Sequence, residues 1–129
     1  MILKATELIL INDLFLIVAA CDNGLGFNTT IKLNAGHLIY TGHFPGYPVT
    51  PGVIQMQIVH ELLEKHLCKS IRLASMSQCK FLKILNPLIT PQIDIHIELN
   101  LASELLNINA RGENAADIFF KFNSVYYFI

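Results

Sequence analysis

Tryptophan is absent from this chain and charge is scarce. Of 129 residues only 15% are Asp, Glu, Lys or Arg, whereas 53% are hydrophobic. Nine basic residues against ten acidic ones leave a formal net charge of −1, which excludes the general positive field that nucleic-acid binding needs. Basic side chains gather only locally, at Lys65, Lys69 and Arg72 and again at Lys80 and Lys83. They read first as a solvated helix end and strand edge, and second as a small docking patch for an acidic partner. Long apolar runs are missing too. Leu14 to Cys21, the longest, spans eight residues, far short of the roughly 18 a membrane-spanning helix requires. The N-terminus makes a poor signal peptide, because Glu7 cancels Lys4 and Asn12-Asp13 interrupt the apolar stretch. Cys21, Cys68 and Cys79 are odd in number and lack C-x-x-C spacing. With no secretory signal they read as reduced, mostly buried thiols of a cytoplasmic protein. No Gly-rich phosphate loop, serine elbow or dinucleotide fingerprint occurs. His37 with His43, or His60 with His66, has no metal-site pattern, so the sequence calls for neither cofactor nor metal.

What is present is apolar surface in excess. A mean hydropathy of +0.47 exceeds what a small soluble monomer ordinarily carries. Without a spanning segment, the surplus is expected in a subunit interface, most simply that of a homodimer. The length fits one domain, residues 1–129, large enough for a real core.

The chain divides into strand-like and helix-like stretches. Leu14 to Cys21 is a β-type run closed by the turn signal Asp22-Asn23-Gly24, and Thr29 to Leu33 is a second short strand. From Val53 to about Cys68, apolar residues cover more than one helical face, which predicts a helix wrapped by the rest of the protein. Gln57, His60, Glu61 and Glu64 form a separate polar stripe at i, i+3, i+4 and i+7. Leu73 to Leu85 alternates loosely. Gln92 to Leu101 alternates strictly, with Ile93, Ile95, Ile97, Leu99 and Leu101 on one face, as in an antiparallel strand with one wet side. Leu105 to Arg111 and Ala116 to Phe128 flank Gly112-Glu113-Asn114, a hairpin signal. The sum is an α+β protein with one long helix and about five antiparallel strands curled around it.

Between the second strand and the helix lies the most informative segment, Gly42-His43-Phe44-Pro45-Gly46-Tyr47-Pro48-Val49-Thr50-Pro51-Gly52-Val53. Three prolines and three glycines in eleven positions make a rigid, specially shaped loop. Pro51 suits the first helical turn and Gly52 offers a bare backbone N–H. A histidine held beside the positive end of a helix is suited to be a general base next to an oxyanion site.

This loop resembles the active-site loop of the hot-dog-fold 3-hydroxyacyl-ACP dehydratases. The downstream Cys79-Lys80-Phe81-Leu82-Lys83-Ile84-Leu85-Asn86-Pro87-Leu88-Ile89-Thr90-Pro91 resembles that family's third-strand segment. The likeness runs through most of the chain from about Leu14. It implies a hot-dog fold, with an antiparallel sheet wrapped around one long central helix. It also implies that His43 exchanges a proton at C2 of the acyl thioester and that the N–H of Gly52 polarises the thioester carbonyl. Phe44, Pro51, Val53 and Glu61 are then expected against the substrate. An enolate-like transition state puts charge on the carbonyl oxygen, where a helix N-terminal N–H stabilises it without reorganisation.

One position departs from the family. The carboxylate expected fourteen residues after the histidine is here Gln57. An amide can orient a water or hydroxyl but has no proton to give near neutral pH. General acid–base help is worth roughly 10²–10⁴ in rate. Glu61, one helical turn on, is a possible substitute; a solvated or interface role is the alternative. Three functions follow: dehydration of 3-hydroxyacyl-ACP with His43 as base and Gln57 as polar positioner, a hot-dog acyl thioesterase, or a non-catalytic acyl-binding subunit. The implied partners are an acyl carrier protein or CoA thioester, plus a second copy, a higher homo-oligomer or a homologous dehydratase subunit. Nucleic acid and a membrane span are not expected.

Overall fold

The computed structural model describes residues 9–41 and 46–129. Six strands, rather than about five, form one antiparallel sheet: β1 (Phe15–Asp22), β2 (Gly26–Leu33), β3 (Ile71–Phe81), β4 (Gln92–Ala102), β5 (Leu105–Glu113) and β6 (Ile118–Phe128). Their spatial order is β1-β2-β4-β5-β6-β3, so β1 and β3 are the edges. One α-helix, α1 (Gly52–Leu67), enters between β2 and β3 in sequence.

Alternation explains the packing. Ile93, Ile95 and Ile97 of β4 are fully buried, as are Leu106, Ile108 and Ala110 of β5 and Phe120 and Phe122 of β6. They meet Ile58, Val59, Leu62 and Leu63 of α1 in a single apolar cluster. The register of β4 on β2 pairs Ile97 with Phe27 and Ile93 with Ile31, keeping one face apolar across neighbouring strands. Further along β4 the same face runs past this cover, and Leu101 is 60% exposed.

Three sequence expectations need correction. The third strand ends at Phe81, four residues before Leu85; Leu82 to Asn86 instead form an irregular segment facing the helix start. Gly112 lies inside β5 rather than in the hairpin turn. A Cβ there would come within 2.2 Å of the Phe120 ring, so the glycine is required by close packing. The three cysteines are free but exposed, not buried. Cys21 and Cys79 lie on the two edge strands and Cys68 caps α1, where no second layer covers them.

Candidate active site

The start of α1 is built to leave donors open. Pro51 occupies the cap position without a side-chain hydrogen bond, and no acidic residue follows in the first turn. The N–H groups of Ile54 and Gln55 donate to the Pro51 carbonyl at 3.0 and 3.1 Å. Those of Gly52 and Val53 have no acceptor among the described residues. Orphan first-turn N–H groups at the positive end of a helix favour an oxygen that is gaining negative charge. The far end is settled instead: Lys65 and His66 lie in the last turn and Cys68 closes the helix in the left-handed conformation at φ 53°.

The loop entering α1 is tied down by a buried polar chain. The Thr50 N–H donates to the Leu85 carbonyl at 2.8 Å. Thr50 Oγ1 and the Tyr40 hydroxyl lie 2.9 Å apart, and Gln55 Nε2 donates to the Thr50 carbonyl at 2.9 Å. Burial pushes the Tyr40 phenol above its usual pKa, against a smaller opposing effect of its Thr50 hydrogen bond, so Tyr40 stays protonated and neutral here. A groove of about 400 Å³ opens beside this chain, bounded by Pro51, Gly52 and Gln55 on one side and Phe81 to Leu85 on the other. The Phe81 ring lies against Gly52 so closely that a Cβ would be 2.6 Å from its Cζ. Glycine therefore suits this position by packing, whereas the open N–H is one that any residue but proline would supply.

The expected site residues do not all meet. Pro51 and Gly52 line the groove. Val53 points away and is 71% exposed. His43 and Phe44 lie outside the described residues. Gln57 is five residues from Gly52, about 140° around the helix axis, and does not line the groove. Its Nε2 donates to Glu61 Oε2 at 3.0 Å, which turns its carbonyl oxygen away from Glu61 as an acceptor.

Glu61 is neither solvated nor at the surface; it is 0% exposed. The Leu10 N–H donates to both its oxygens at 3.0 and 3.1 Å, and the Ile11 N–H donates at 3.0 Å. With Gln57 also donating, every partner of this carboxylate among the described residues is a donor, and both its oxygens are occupied as acceptors. Glu64 behaves similarly at the other end of the helix, accepting from the Ile71 N–H at 3.0 Å and lying 3.3 Å from His60 Nε2. The polar stripe thus clamps neighbouring segments to α1. Gln55, absent from the sequence-based site, faces the groove. The only signal for it was a polar residue in the first turn straight after Pro51-Gly52.

Elsewhere the chemistry is structural. His96 bridges Asn28 and Glu113 at 2.6 and 2.7 Å, and Lys83 pairs with Asp117 at 2.9 Å. No cluster of metal-ligating side chains occurs among the described residues, and no described helix is long and apolar enough to cross a membrane.

Residues 22–117 match the family model of the ApeI-like proteins, described as ApeI dehydratase. No curated protein sequence matches the chain. Among solved structures, an uncharacterised protein from Erwinia carotovora subsp. atroseptica aligns with TM-score 0.65 at 15% identity, over 90% of this chain and 96% of that one. A chain of the dehydratase heterocomplex ApeI:P from Xenorhabdus doucetiae aligns with TM-score 0.63 at 18% identity, over 86% and 96%. A thioesterase-superfamily protein aligns with TM-score 0.61 at 15% identity, over 89% and 83%. These likenesses agree with the hot-dog architecture of a six-stranded antiparallel sheet with one helix. The family match takes in well over half of the residues, and the chain belongs to the ApeI-like dehydratase family.

Proposed function

We propose that this protein dehydrates 3-hydroxyacyl thioesters carried on an acyl carrier protein or CoA, in fatty-acid or polyene-type chain synthesis. The observation that carries this reading is the open first turn of α1, with the Gly52 and Val53 N–H groups beside an apolar groove. His43 removes the C2 proton, the carbonyl oxygen gains charge against the Gly52 N–H, and the C3–O bond breaks. Gln57 has no proton to give. The imidazolium of His43 therefore returns the same proton to the departing hydroxyl, which leaves as water, and the base is regenerated.

Gln57 does not reach the Gly52 groove of its own chain, so the reading requires a second subunit whose Gln57 faces that groove and accepts a hydrogen bond from the hydroxyl. Edge strand β3 and the exposed side chains of Leu82, Ile84, Leu88 and Ile89 supply apolar surface for it. That subunit is a second copy or a homologous dehydratase, the latter in line with the ApeI:P heterocomplex. Light scattering at micromolar concentration should give a dimer or larger species, and a clean monomer mass would refute the pairing.

A second reading is favoured by the Gln57–Glu61 contact, which fixes an acceptor where the related dehydratases carry an acid. In it the chain is a non-catalytic acyl-binding subunit. Incubation with 3-hydroxyacyl-ACP of several lengths, followed by mass spectrometry, separates the readings. Enoyl-ACP supports dehydration, free acid indicates a thioesterase, and bound but unchanged acyl-ACP indicates the non-catalytic subunit.

A further inference from the structure

Gln55 carries an acceptor that no other described residue uses. The residue is 3% exposed. Its Nε2 is committed to the Thr50 carbonyl at 2.9 Å, which fixes the amide orientation and leaves Oε1 as the other atom. Oε1 is buried and has no hydrogen-bond partner among the described residues. Buried polar atoms are nearly always paired in native proteins, so an unpaired one in a residue that lines a groove calls for a partner beyond the described residues.

Its position says what that partner is. Gln55 is three residues after Gly52, hence on the same side of α1 and about 4.5 Å along its axis. Helical side chains lean towards the N-terminus, and the bond to Thr50 shows this one doing so. Gln55 and Gly52 therefore share one wall of the groove, which pairs donors for a carbonyl with an acceptor for an N–H or O–H. Phe81 and Leu82 make the opposite wall apolar, and Lys83, paired with Asp117, belongs to the same rim.

We propose that Gln55 Oε1 accepts the amide N–H of the carrier arm of the thioester, making Gln55 a specificity-determining residue for amide-bearing thiols. This rests on the thioester reading above. With the thioester carbonyl on the Gly52 N–H, the arm runs from sulfur through two methylenes to an amide. That amide is the first donor the ligand presents beyond the reacting centre. The C3 hydroxyl is already assigned to the Gln57 of the second subunit, which leaves Oε1 for the arm.

The test uses two ligands that differ in one atom. S-butyryl-N-acetylcysteamine carries the amide N–H; its analogue made from 2-acetoxyethanethiol has an ester oxygen in its place. Both carry a saturated acyl group, so binding is read by NMR titration without any dehydration. The unaltered protein should bind the amide about tenfold more tightly, since the ester leaves a buried acceptor unpaired. Gln55→Met should bind both equally, at the affinity of the ester. The ligand exchange on the unaltered protein stands even if that variant folds poorly.

Equal affinities on the unaltered protein, or a preference that survives in Gln55→Met, would overturn the assignment while leaving the thioester reading intact. Failure to bind either ligand would sink both. Amide preference without turnover of the 3-hydroxybutyryl form would uphold Gln55 and move the chain to the non-catalytic subunit.

Discussion

The two ends of α1 are treated in opposite ways. At the C-terminal end Lys65 and His66 face the negative end of the dipole, Cys68 closes the last turn, and Glu64 fastens the N–H of Ile71. At the N-terminal end, among the described residues, no side chain caps the helix, no acid balances its positive end, and Gly52 and Val53 keep open donors. Local stability has been built in where the chain only turns back into the sheet. It has been withheld where a ligand oxygen would sit, the usual relation between a strained or unsatisfied site and the scaffold that supports it. Glu61 lies between, clamping Leu10 and Ile11 while it orients Gln57.

Removing the proposed base, His43, should have the largest effect. His43→Ala is expected to lower turnover about 10²–10⁴-fold with little loss of stability; equal activity in variant and parent would end the dehydratase reading. In a pH series, kcat/KM of the parent should rise as the imidazole loses its proton and then stay level. A descending limb would reveal an acid that Gln57 cannot be.

Next comes the clamp. Glu61→Ala strands the N–H groups of Leu10 and Ile11 and should cost about 2–3 kcal/mol by urea denaturation. The same change at Glu64, whose one backbone donor is Ile71, should cost less. A reversal of that order would show the settled end to be the weaker one.

Gln57→Glu should raise dehydration roughly tenfold, less than the roughly 10²–10⁴ of full acid catalysis because Glu61 competes for the proton. Its carboxyl would face Glu61 where the amide now donates. Two carboxylates at that distance repel, which favours a proton held between them that the amide cannot carry. The gain should fade as pH rises and that proton is lost. A fall in rate would mean the site is built around the amide.

The smallest effect belongs to the closed end. Cys68 is non-glycine at φ 53°, and Cys68→Gly should stabilise by about 0.5–1 kcal/mol through relief of left-handed strain. No change in the denaturation midpoint would mean that the cysteine side chain compensates for it.

The fold was legible because its strongest signals are periodic. The alternation through Ile93, Ile95 and Ile97 and the all-round apolar run of α1 leave few other arrangements, and the Pro/Gly loop marks the entry to the helix. The roles of the polar stripe were hidden. Glu61 finds its partners 50 and 51 residues away in backbone N–H groups, and every non-proline residue has such a group, so no pattern of residue types announces it. Gly112 resembled a turn signal because Gly-Glu-Asn fits a hairpin, whereas the demand for it comes from Phe120 on the neighbouring strand. The cysteines were misjudged because burial preference is an average, and theirs lie on sheet edges and a helix end. Gln55 drew no notice because a single polar residue in a helix is usually solvated; its importance comes from burial and from one unused oxygen.

The contact between Gln57 and Glu61 ties the histories of two positions together. A donor at position 57 suits a carboxylate at position 61, and a carboxylate at 57 does not. Lineages of this family that carry an acid at the first position should have lost the acid at the second, or acquired a cation beside it. Those that keep both should hold the segment around Leu10 by other means. Substitutions at the two sites should therefore be coupled, and a homologue whose chemistry differs at the helix should also hold the segment that meets Leu10 differently.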